Sequence, residues 1–93
     1  MVQAGGASIN VNVFPSPTTG LLNLSVACSN CGDEGVYAVK VTDIYGKQYF
    51  ATELNVAMGQ GEMKLDLSRY AAGVYMIVVE SGDQRIVERV VKQ

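Results

Sequence analysis

A chain of 93 residues has room for one small domain, and at this length folding buries roughly two-thirds of the surface that the unfolded chain exposes. The composition is 48% hydrophobic, rich in Val, Ile, Leu and Tyr, with ten Gly and neither Trp nor His, which favours strands over helices and excludes a disordered chain. A net charge of -2 and a pI near 4.9 leave no basic footprint for nucleic acid or an anionic membrane surface.

At the start, Met1 to Ser8 lacks the basic residues and long apolar stretch of a secretory signal. No apolar run in the chain approaches the ~20 residues that span a bilayer. Gly5-Gly6-Ala7-Ser8 reads as part of a flexible linker or cloning remnant over residues 1–8. Residues 9–93 are then expected to be a domain from the C-terminal end of a longer protein.

Ile9 to Phe14 alternates Ile9, Val11 and Val13 with Asn10 and Asn12, the period of a strand with one face on a core. The run Pro15-Ser16-Pro17-Thr18-Thr19-Gly20 ends it, because neither proline has the N–H that a ladder requires, and it predicts a rigid corner. Leu21 to Ala27 resumes as a second strand, with Leu22, Leu24 and Val26 on one face. Asn23-Leu24-Ser25 matches a glycosylation triplet but sits mid-strand rather than in a loop, so it is set aside.

Cys28-Ser29-Asn30-Cys31 opens a polar loop that continues to Gly35. Its CxxC spacing admits a local disulfide, free thiols or pairing outside the chain, or redox or metal chemistry. Metal is the weakest of these, since the chain has two Cys and no His to offer a zinc ion. A thioredoxin-like pair sits at a helix N-terminus, which the flanking strand pattern denies.

Val36 to Asp43 and Lys47 to Leu54 read as a hairpin around Ile44-Tyr45-Gly46. Gly46-Lys47 is no phosphate loop, because Val41 and Gln48 occupy the positions where Gly and Ser or Thr are needed. Asn55 to Gly61 is expected to be a loop, and Glu62 to Leu67 a strand with Met63, Leu65 and Leu67 inward. Ser68 to Gly73 breaks the pattern. Val74 to Val79 is continuously apolar, as in a strand buried on both faces, and Ser81-Gly82-Asp83 turns the chain into a last strand from Gln84 to Lys92. The predicted fold is all-β, a seven-stranded antiparallel immunoglobulin-like β-sandwich without the Cys, Trp, Cys core of antibody domains.

Chemistry is missing from this pattern. A Ser or Cys triad recruits an imidazole, and the chain has none. Acid pairs such as Asp33 with Glu34 or Asp66 with Glu62 read as solvated side chains. The expectation is a protein that is not an enzyme and takes no cofactor and no metal.

FPSPTTG from Phe14, VTDIYGK from Val41, and LDLSRYAAGVYMIVVESG with RIVERVVKQ at the end add up to a pattern. Together they resemble the C-terminal sorting domain of the type IX secretion system, found on secreted and surface proteins of Bacteroidetes, over essentially Val11 to Gln93. The matching motif positions are Pro15, Pro17, Thr18, Gly20, Asp43, Gly46, Lys47, Gly73, Val74 and Tyr75. Ser16 stands where family members commonly carry Asn, and the loop of Cys28 and Cys31 is not general in the family.

The resemblance implies a domain that directs a folded N-terminal cargo from the periplasm through an outer-membrane translocon with its shuttle components, to the cell surface or medium. It implies removal of the domain by a sortase-like cysteine peptidase, with the cargo anchored or released. Gly5, Gly6, Ala7 and Ser8 would form the accessible cleavage linker. Gly20, Gly46 and Gly73 would serve turns, Leu65, Val74 and Tyr75 the core, and Val90, Val91, Lys92 and Gln93 recognition by the translocon. The rival reading is an adhesive or carbohydrate-binding module, for which Tyr45, Tyr49 and Tyr70 are the candidate aromatic platform. Self-association through exposed edges at Ile9 to Phe14 or Gln84 to Lys92 is a further expectation.

Overall fold

A computed structural model describes residues 8–29, 34–82 and 84–93. Its elements are β1 (Ser8–Phe14), β2 (Leu21–Ser29), β3 (Glu34–Asp43), β4 (Gln48–Ala57), β5 (Gln60–Asp66), β6 (Gly73–Ser81) and β7 (Gln84–Lys92), with no helix among the described residues. All seven belong to one antiparallel sheet in the order β1-β2-β5-β4-β3-β6-β7.

That order almost divides in the middle. β4 and β5 are joined at Ala57↔Gln60 alone, so a half of β1, β2 and β5 folds over a half of β4, β3, β6 and β7. Alternation puts one apolar row per strand between the halves: Leu22, Leu24 and Val26 on β2, Leu65 on β5, Val39 and Val41 on β3, Ile77 and Val79 on β6, and Val90 on β7. These side chains form one contiguous buried cluster.

At the two ends of the order the sheet nearly closes on itself. The segment after β1 bridges in parallel to the end of β7 at Thr18↔Lys92, with Thr18 N–H donating to the Val91 carbonyl (2.8 Å) and Gln93 N–H to the Thr18 carbonyl (2.8 Å). The edge of β7 is therefore covered over its last residues, where an exposed edge is expected from the sequence at Gln84 to Lys92.

Two sequence expectations change. Asn55 to Gly61 is not a loop: β4 runs to Ala57 and β5 starts at Gln60, leaving the two-residue turn Met58-Gly59. Both turn residues have positive φ (55° and 80°), as a two-residue hairpin of this hand requires. Methionine gives no turn signal, so the pattern alone misses it. Val74 to Val79 is fully buried on its outer face only at Val78, which lies in register between Lys40 and Val87; Val74 and Met76 are half-buried.

The Gly59 carbonyl accepts the Cys28 N–H (2.8 Å), and a Cβ added to Gly59 would sit 2.6 Å from the Cys28 carbonyl oxygen. Gly59→Ala is expected to cost about 2 kcal/mol or more, since it adds a clash to a disfavoured φ. Urea unfolding of the purified domain, read as a lowered midpoint at unchanged slope, checks this.

Candidate functional site

Strict up-and-down alternation of seven antiparallel strands sorts the connections by end. The β1–β2, β3–β4 and β5–β6 connections lie at one end with the close of β7, and the β2–β3, β4–β5 and β6–β7 connections lie at the other with the start of β1. Every described family-motif position falls at the first end: Pro15, Pro17, Thr18 and Gly20 between β1 and β2, Asp43, Gly46 and Lys47 at the β3–β4 turn, Gly73, Val74 and Tyr75 at the start of β6. Ser8, paired with Ser29, is at the opposite end. Of the linker, Gly5, Gly6 and Ala7 lie outside the described residues.

Thr18 is the hub of the motif end. It is the one buried polar side chain among the described residues, 3% exposed; its hydroxyl donates to the Leu21 carbonyl (2.7 Å) and accepts from Gly20 N–H (3.0 Å). Its backbone grips the chain terminus as described above, and Ser16 Oγ accepts Val91 N–H (3.2 Å). The double-proline segment is thus a clasp on β7 as well as a corner.

Around the β3–β4 turn, Asp43 Oδ1 accepts the N–H groups of Tyr45 (2.8 Å) and Lys47 (2.9 Å), and Oδ2 accepts the Tyr49 hydroxyl (3.4 Å). The hydrogen bond from Lys47 N–H is the largest cause that holds the Asp43 carboxyl below its usual range, helped by Tyr45 N–H, the Tyr49 hydroxyl and the Lys47 charge, against partial burial. A folded pKa below the unfolded one gives stability that is present above about pH 4 and lost as pH falls through the folded value. Asp43→Asn keeps an acceptor but not the charge, so its melting temperature is expected to fall less steeply with acid than that of the parent, as measured from pH 7 to pH 2.

Behind this turn three tyrosines pack together: Tyr49 and Tyr70 with centroids 5.2 Å apart, Tyr49 and Tyr75 5.5 Å, Tyr70 and Tyr75 6.2 Å. Tyr70 donates its hydroxyl to the Tyr49 carbonyl (3.3 Å) and Tyr75 to the Ala71 carbonyl (2.6 Å). A tyrosine near the start of the sixth strand that bonds back to the preceding corner is a recurring feature of immunoglobulin-like sandwiches. Burial raises the Tyr75 phenol above its ordinary value. Tyr49 and Tyr70 are half-buried in this cluster, so they do not lie open beside Tyr45 as a sugar platform.

The terminal residues expected to be read by a translocon divide. Val90 is 1% exposed and belongs to the core, Val91 and Lys92 are half-buried, and Gln93 is exposed. At the opposite end Cys28 is disulfide-bonded and its sulfur accepts the Tyr37 hydroxyl (3.0 Å), while Cys31 lies outside the described residues.

Five large apolar side chains are exposed at the motif end: Phe14 (50%), Leu21 (61%), Ile44 (56%), Tyr45 (87%) and Phe50 (42%). Sequence reading singled out only Tyr45 among them. The available signal was an aliphatic–aromatic pair inside a three-residue turn, where no core is within reach.

Against protein families, the model of the secretion system C-terminal sorting domain matches residues 12–93. The chain belongs to this family. Being a sorting domain, it is a C-terminal signal for type IX secretion, carried behind an N-terminal cargo and exported with it. No curated protein matches the chain.

Proposed function

We propose that the sorting domain carries its cargo through the periplasm to an outer-membrane translocon, which reads the motif end while the cargo hangs from the other. What supports the reading is the sorting of positions by end: the motif connections and the terminus converge, and β1 starts at the far end. A sortase-like peptidase then cuts within residues 3–8, a stretch rich in small residues that leads into β1, and the cargo is anchored at the surface or released. The domain does this without catalysis of its own; a chain without His has no imidazole base to offer.

Within the terminus, Lys92 and Gln93 are the residues available for recognition, with Val90 committed to the core and Val91 to the Thr18 clasp. The experiment that tests the cut is the intact mass of a cargo recovered from a type IX-competent host. A new C-terminus between residues 3 and 8 supports the reading. A cargo that still carries residues 9–93 at the surface contradicts removal of the domain.

A further inference from the structure

We propose that the Ile44–Tyr45 tip is a docking element that enters an apolar, carboxylate-rimmed cleft on a protein of the export machinery. This rests on the sorting reading above and names the side chains that make one of its contacts. Tyr45 and Ile44 are 87% and 56% exposed, and the turn that holds them does not need either side chain. Its bonds run through Asp43 and the backbone: the Asp43 carboxylate takes the N–H groups of Tyr45 and Lys47, Gly46 N–H reaches the Asp43 carbonyl (3.1 Å), and Asp43 N–H the Lys47 carbonyl (3.0 Å). Gly46 supplies the positive φ (91°) that closes it. Tyr49 and the tyrosine cluster stiffen the base. A rigid turn that presents an aromatic anchor loses little entropy on binding, and tyrosine is among the residue types that dominate interface energies.

The surroundings of the tip select its occupant. Cargo joins ahead of β1, whose start lies at the opposite end from the tip. Residues 43–47 carry one acid and one base and the chain a net charge of -2, too little positive charge for an anionic bilayer. A second copy docking tip to tip about a two-fold axis would bring Lys47 against Lys47. Since Asp43 is turned onto three donors, the tip shows an aliphatic group, a phenol and the Lys47 ammonium, which lies 5.1 Å from the Tyr49 ring centroid. The complement is a cleft with an apolar floor, an acceptor for the phenol and a carboxylate at its rim.

The test is a folded reporter fused ahead of residues 1–93 in a type IX-competent host, with the parent, Ile44→Ser/Tyr45→Ser, Lys47→Arg and Lys47→Glu compared side by side. The double variant is expected to lower the exported fraction about thirtyfold, Lys47→Glu less, and Lys47→Arg hardly at all, while thermal unfolding of the purified domain is unchanged by the double variant. Parent-level export of Ile44→Ser/Tyr45→Ser overturns the docking role and leaves the sorting reading standing. Failure of the parent itself to be exported overturns both. Co-sedimentation with phosphatidylglycerol vesicles, or dimerisation in the ultracentrifuge, that is lost in the double variant overturns the protein cleft as the occupant.

Discussion

Removal of Val90–Gln93 is expected to unfold the domain. Val90 is 1% exposed in the core, opposite Tyr75 in the β6–β7 ladder, and its loss removes about 2–3 kcal/mol of apolar burial. The same deletion takes away three hydrogen bonds that tie Ser16 and Thr18 to Val91 and Gln93, each contributing about 1 kcal/mol. Together these approach the lower end of the total stability expected at this length, about 5–14 kcal/mol. Circular dichroism of the truncated domain should show loss of cooperative unfolding at 25 °C; an unfolding midpoint equal to that of the full chain would contradict the clasp. Recognition is therefore better probed by Lys92→Ala, which keeps the ladder and should change stability by no more than about 0.5 kcal/mol.

Ile77→Ala is expected to cost about 3–4 kcal/mol, a fall in melting temperature of about 15–25 °C. Ile77 is 0% exposed on β6, which hydrogen-bonds to β3 on one side and β7 on the other, so the cavity left by its truncation has neighbours fixed by two ladders. Val87→Ala removes a side chain 44% exposed on the outer face of the adjacent strand and should cost under about 1 kcal/mol. Similar losses at both positions would mean that the two halves do not enclose the core described here.

Much of this architecture is legible in the chain because alternation marks each strand. The last strand was expected at Gln84 to Lys92 and β7 has those bounds, and the Gly46 turn joins β3 to β4 as read. Local pattern fails where geometry or distant partners decide. Met58 takes a positive φ because the hairpin imposes it, and nothing in the residue announces that. The strand order, with β5 beside β2 and β6 beside β3, follows from long-range closure that no window of sequence contains. Thr18 reads as a corner residue, and its burial depends on a partner more than seventy residues away in the chain. Val90 looks like Val91 in sequence, and only register separates the core residue from its half-buried neighbour.

For the candidate site, the motifs were visible as words and their convergence was not. Even strand numbers between Phe14, Ile44 and Tyr70 bring their connections to one end, a consequence of topology rather than of any motif. The exposed apolar side chains there became apparent only once the core was seen to close without them.

The measurement that bears most directly on the central claim is the location of a neutral folded reporter that carries a periplasmic signal and ends in residues 1 to 93, in a type IX-competent host and in its translocon mutant. Surface or medium localisation in the competent host alone is the predicted result. Retention in the periplasm of both hosts would contradict the assignment of this domain as a sufficient sorting signal.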